Sequence, residues 1–282
     1  MAVELREVQV EGVRIAYRWV DGDGEPVVFV HGNPTDSRQW LPFLDRVDRP
    51  AIALDLPGFG ASERPPADRF DYTMHGLAGT FGAFLGALGI GSYRLVVQDW
   101  GALALIAAAA EPDWVSRLVV LNSVPLLPGY HWHRTARMWR RRRVGELQLR
   151  SLRRPLVALG LREARPRFRT LPPSFVDMVW SNLGDRRTQP AILALYRSAD
   201  PPALAAAGER LAELRCPALV IWGGADPYLA PRFGTAYAER LPDAELVVLD
   251  DAGHWAWLDR PDVVERTVAF LSARGTDLDS QA

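Results

Sequence analysis

The chain has 282 residues, 48% of them hydrophobic, and its 33 basic and 34 acidic side chains leave a net charge of -1 at pH 7. That is enough chain to bury one large core, while the balanced total supplies no global field for nucleic acid or for an anionic membrane. The single cysteine, Cys216, excludes an intrachain disulfide and a cysteine metal site, and its place ahead of Pro217 at a strand entry reads as a buried structural thiol. The N-terminus intersperses charges with apolar residues and no run of eighteen apolar residues follows, so the expectation is a cytoplasmic protein, a monomer or small homo-oligomer.

Residues Leu5–Val10 and Val13–Val20 alternate in polarity around Glu11-Gly12 and predict a hairpin. Pro26–Val30 is an apolar strand that delivers His31-Gly32-Asn33-Pro34-Thr35 as a loop at its carboxyl end, where ligands collect in open α/β sheets. Ala51–Leu54 is a short strand, Thr73–Leu88 a helix rich in small residues, Tyr93–Val97 a strand, Ala102–Ala110 a helix and Arg117–Leu121 a further strand. From about Val124 to Leu214 only helical pieces broken by prolines are predicted. Alternation resumes with the strand Ala218–Trp222, a helix over Pro231–Leu241, the strand Glu245–Leu249 and a helix over Val263–Leu271, which Gly275 would cap. The pattern predicts an α/β fold with a mostly parallel sheet flanked by helices: residues 1–123 and 215–282 form its two halves, and 124–214 an inserted helical cap. The run Arg140-Arg141-Arg142-Arg143 reads as the solvated face of a cap helix.

The stretch Leu95-Val96-Val97-Gln98-Asp99-Trp100-Gly101-Ala102 reads as a strand, a tight turn and a helix, with small residues where the turn packs closely. It has the form of a nucleophile elbow with Asp in place of Ser. A carboxylate at the following helix N-terminus is expected to stay ionised and to need no base to become nucleophilic. The plain alternative is that Asp99 merely caps that helix. Two later loops at strand ends carry Asp226, in Gly223-Gly224-Ala225-Asp226-Pro227, and His254, in Ala252-Gly253-His254-Trp255. Nucleophile, acid and histidine thus fall in the order expected of an α/β-hydrolase. Asp250 and Asp251 lie nearer His254 in sequence but precede a turn and are read as pointing elsewhere; the loop after Leu121 offers Asn122 and Ser123 and no carboxylate.

With these motifs, His31-Gly32-Asn33-Pro34-Thr35 and Val96-Val97-Gln98-Asp99-Trp100-Gly101, the chain resembles the haloalkane dehalogenases of the α/β-hydrolase fold, and more widely the epoxide hydrolases. The resemblance implies attack by Asp99 on an sp3 carbon to form an alkyl ester, which water activated by His254 hydrolyses while Asp226 orients the imidazole. It further implies an oxyanion hole from the backbone N–H groups of Asn33 and Trp100, and a halide held by the Trp100 indole and the Asn33 amide. No metal and no organic cofactor are required, and a small, largely apolar substrate is implied. Epoxide hydrolysis is the alternative. It needs cap tyrosines, for which Leu195-Tyr196-Arg197-Ser198 offers Tyr196, while Tyr130 is a less clear partner. Trp132, with His131 and His133, is a further candidate for a leaving-group pocket, His31 is read as structural, and a non-catalytic ligand-binding homologue remains a third reading.

Overall fold

The alternation at the start of the chain becomes a hairpin: β1 (Val3–Val10) pairs antiparallel with β2 (Val13–Val20). Its turn residues Glu11 and Gly12 sit at φ of 49° and 82°, the left-handed conformation that two-residue hairpins use. The computed structural model describes residues 2–273, so the predicted cap at Gly275 lies outside the described residues. The all-apolar runs form β3 (Val27–Val30) and β4 (Ala51–Leu54), buried at every position as strands covered on both faces must be. They are followed by β5 (Tyr93–Asp99), β6 (Val115–Ser123), β7 (Ala218–Gly223) and β8 (Ala244–Leu249). The eight strands form one sheet in the order β1-β2-β4-β3-β5-β6-β7-β8, parallel from β4 onward.

This order decides where the site lies. β3 is hydrogen-bonded to β5, and β6, β7 and β8 follow beside it, so the loops leaving β3, β5, β6, β7 and β8 all open on the carboxyl edge of the sheet. Residues far apart in sequence, from His31 to His254, thereby reach one place.

Three local expectations change. β5 and β6 each run two residues beyond their predicted ends, to Asp99 and Ser123, because polar Gln98 and Asn122 find buried partners there. The helix expected from Ala102 opens as a tighter 3-10 turn over Trp100–Leu103 and becomes α-helical over Ala104–Ala110. Cys216 is only half-buried, since it lies on the approach to β7 and not within it.

Between Ser123 and Ala218 the described chain holds no strand. Its helices include Arg134–Arg140, Val144–Ser151, Arg154–Gly160, Pro173–Leu183 and Gln189–Ser198. Pro155, Pro173, Pro190 and Pro201 start helices here more than they break them, standing in first turns where no N–H is needed. The arginine run straddles a helix end: Arg140 donates to the Tyr196 and Ala199 carbonyls and lies over the Trp132 ring, while Arg141–Arg143 are exposed. Asn182 ties the helical segment to the sheet. Its amide donates to Asp36 (2.9 Å) and its oxygen accepts from the Gly60 N–H (3.0 Å).

Candidate active site

Asp99 ends β5 with φ 50° and ψ -122°, a conformation that costs a non-glycine residue about 1–3 kcal/mol. The turn is held from both sides. A Cβ on Gly101 would lie 2.2 Å from the Val30 carbonyl oxygen, and one on Gly32 would lie 2.4 Å from the Asp99 Cβ, so both positions must be glycine. The Asp99 side chain makes no helix-capping hydrogen bond. Instead its Oδ2 accepts from the Asn33 backbone N–H at 2.8 Å.

Burial pushes the Asp99 carboxyl up to a pKa of about 6, against the opposing pull of His254 and of the Asn33 and Trp100 N–H groups. Desolvation therefore outweighs the helix N-terminus that the sequence reading relied on. The group is still an anion at neutral pH, by a narrower margin than a free carboxylate.

His254 and Asp226 meet as the chain order predicts. His254 Nδ1 lies 2.8 Å from Asp226 Oδ2, and His254 Nε2 lies 3.9 Å from Asp99 Oδ1. Burial alone would lower the imidazole pKa, but the facing carboxylates of Asp226 and Asp99 more than offset it, and the net shift is upward. Asp226 is fixed by three further hydrogen bonds: Oδ1 accepts from the Tyr228 (2.8 Å) and Leu229 (3.1 Å) N–H groups, and Oδ2 from the Asn122 amide (2.8 Å). Asp250 and Asp251 are exposed, and Asp251 pairs with Arg260, so neither serves His254.

Asn122 and Gln98 carry roles that the sequence reading did not assign. Asn122 bridges two strands, donating to Asp226 while its oxygen accepts from the Gly223 N–H at 2.8 Å. The Gln98 amide nitrogen lies 3.1 Å from His254 Nε2 and 3.4 Å from the His254 carbonyl oxygen. In the neutral imidazole with Nδ1–H directed at Asp226, this amide would donate to the free Nε2 lone pair. The visible signal was a polar residue closing each of two otherwise apolar strands.

Asp99 and His254 line a cavity of about 210 Å³ together with Asn33, Trp100, Tyr130 and Tyr196. Two donors face inward. The Trp100 indole N–H is buried without a hydrogen-bond partner among the described residues, and the Asn33 amide donates to the Tyr196 hydroxyl at 3.3 Å. The Tyr196 ring stands edge-on to Trp100 with centroids 5.1 Å apart. Trp132 stacks on Trp100 at 5.6 Å and lines the cavity, but its N–H is spent on the Ala199 carbonyl. His131 is exposed and does not reach the cavity; the alternation of the loop turns His133 inward instead, where its ring packs at a tilt against Tyr228. Tyr228 in turn stands edge-on to His254 and donates to Glu163 (3.0 Å). His31 is structural: Nδ1 donates to the Gly32 carbonyl (2.7 Å) and Nε2 accepts from the Leu56 N–H (2.9 Å).

A family model described as alpha/beta hydrolase fold matches residues 25–261. The chain belongs to the alpha/beta hydrolase fold family. Among curated relatives of this hydrolase, a haloalkane dehalogenase of Bradyrhizobium diazoefficiens is 31% identical, the match covering 95% of this chain and 93% of the relative. A 2-hydroxy-6-oxononadienedioate/2-hydroxy-6-oxononatrienedioate hydrolase of Burkholderia vietnamiensis is 27% identical over 91% of this chain and 90% of its own. Among solved structures, a haloalkane dehalogenase from Bradyrhizobium elkani superposes with a TM-score of 0.82 at 29% identity, covering 95% of this chain and 97% of that one.

Proposed function

We propose that this hydrolase is a haloalkane dehalogenase that releases halide and alcohol from small, largely apolar alkyl halides. One observation carries the reading. A buried carboxylate on the elbow shares its cavity with two neutral donors, the unpaired Trp100 indole N–H and the Asn33 amide. Neutral donors suit a halide that must be bound as it forms and then let go. The names of the relatives from Bradyrhizobium support the same reading.

In this mechanism an Asp99 oxygen attacks the halogen-bearing carbon in line; the C–O bond forms as the C–halogen bond breaks, and the halide departs toward Trp100 and Asn33. The product is an ester on Asp99. Esterification removes the Asp99 charge that raised the His254 pKa, and the neutral imidazole, held by Asp226, then takes a proton from a water that attacks the ester carbonyl carbon. The Asn33 and Trp100 backbone N–H groups stabilise the tetrahedral oxyanion, and collapse returns the carboxylate with release of alcohol. Asn122 keeps Asp226 aimed at the imidazole. Residues 124–214 act as the cap that closes the cavity and excludes water during the first step.

Epoxide hydrolysis is the second reading, favoured by the two tyrosines, Tyr130 and Tyr196, that line the cavity with Asp99. Bromide release from 1-bromoalkanes, measured beside diol formation from styrene oxide, separates the two. The dehalogenase reading expects bromide release that an Asp99→Ala variant loses by about a thousandfold or more. It also expects Asn33→Ala to weaken halide quenching of tryptophan fluorescence by about tenfold, the worth of one hydrogen bond to an ion. Diol formation without bromide release, abolished by Tyr196→Phe, would transfer the function to epoxide hydrolysis.

A further inference from the structure

The helical segment carries an unusual charge. Residues 124–214 hold seventeen arginines against seven carboxylates, although the whole chain is near neutral. Within it, residues 141–169 hold ten arginines and two carboxylates. Of these ten, Arg154 pairs with Asp177 and Arg165 with Asp259, while the other eight have no carboxylate partner among the described residues. The balanced total conceals this distribution.

The same stretch exposes large apolar side chains. Leu147 is 71%, Leu156 59%, Leu159 62% and Phe168 65% exposed, and Val144 joins them. Five of the eight exposed large hydrophobics among the described residues thus fall between positions 144 and 168. One of them reaches the cavity: Gln148, Leu152, Leu156 and Gly160 line it from the helices Val144–Ser151 and Arg154–Gly160, and Leu156 is at once a wall of the cavity and open to solvent. The Arg162 guanidinium donates to the Phe168 carbonyl at 2.8 Å.

We propose that this face is a docking surface for an anionic lipid membrane, and that it places the cavity entrance against the bilayer. Short helices that combine Leu and Phe with unpaired Arg match the interfacial pattern, in which apolar side chains enter the headgroup boundary while cations meet lipid phosphates. Arg suits phosphate especially, through its planar fork of donors. No described helix is long and apolar enough to cross a membrane, so the association is peripheral. The consequence for function, which rests on the dehalogenase reading, is that apolar alkyl halides dissolved in lipid pass into the cavity at Leu156 without crossing water.

The test is sedimentation of the full chain with vesicles of phosphatidylcholine alone and of phosphatidylcholine mixed with phosphatidylglycerol. Binding is expected to the mixed vesicles, at least about tenfold weaker to phosphatidylcholine, and weakened by added salt. Replacing Arg142, Arg150 and Arg153 with Gln is expected to weaken it about a hundredfold, at roughly fivefold for each cation near an anionic surface. Replacing Leu147, Leu159 and Phe168 with Ser is expected to weaken it independently of charge. None of these six side chains lines the cavity, so both variants should keep the parent's thermal midpoint and its turnover of a short soluble bromoalkane. Because sedimentation needs no turnover, failure of the dehalogenase reading leaves this test intact. Absence of binding to the mixed vesicles, or equal binding to both kinds, would overturn the proposal. So would a concentration-dependent dimer abolished by the same variants, which would assign the face to a second copy of the chain.

Discussion

At Asp99 the fold carries a charge that opposes it. The carboxyl is held at a pKa of about 6 against an ordinary 3.8, chiefly by burial. A folded-state pKa above the unfolded one means that the folded protein binds the extra proton between those values, so stability declines as pH rises from about 4 to about 6 and stays reduced above. The shift corresponds to about 3 kcal/mol. Asp99→Asn removes the charge while keeping shape, and part of the gain is lost with the attraction to His254. The variant should therefore be more stable than the parent by about 2 kcal/mol at neutral pH and by nothing near pH 4. Thermal melting at the two pH values checks this; an unchanged midpoint at neutral pH would mean that Asp99 is better solvated than its position implies. The same titration sets an acid limb on attack, because protonated Asp99 is no nucleophile: kcat/KM for an alkyl halide should fall as pH drops through about 6.

The elbow turns a four-residue consequence of sequence into geometry. β5 delivers Asp99 at positive φ, and Gly101 lets the following turn pass within contact of the Val30 carbonyl. Gly101→Ala should therefore cost about 3 kcal/mol or more, because the atom it would strike is backbone in the central strand and cannot swing aside. A chemical denaturation midpoint close to the parent's would show that the turn has slack. The elbow was legible because strand, acid, small residue and helix are contiguous, and the same holds for the loops carrying Asn33, Asp226 and His254. Each sits directly after an apolar run whose type and end the sequence declares. Gln98 and Asn122 were half-legible: each is a polar residue closing an apolar strand, but their partners, His254 and Asp226, lie on other strands and only the sheet order brings them near. His131 and His133 differ by one position, and which of them faces inward depends on how the loop after β6 crosses the cavity, a tertiary matter that local pattern does not carry.

Across the whole molecule, the parallel sheet gathers Asp99, Asp226 and His254 at one edge, and the helical segment covers them with aromatic side chains. The cavity of about 210 Å³ is small, which fits a short alkyl halide. Size also bears on what the sequence concealed. The total charge of -1 sums a basic helical segment and an acidic remainder, and only the placement of the segment over the cavity gives that asymmetry meaning.

The account stands on Asp99 forming an ester that only His254 can discharge. The most direct measurement is the intact mass of the His254→Phe protein after exposure to a 1-bromoalkane and, separately, to styrene oxide. The account predicts a stable gain of one alkyl group from the bromoalkane, localised to Asp99 by peptide mapping. A folded His254→Phe protein that gains no alkyl group, or that turns the bromoalkane over at the parent's rate, would contradict it.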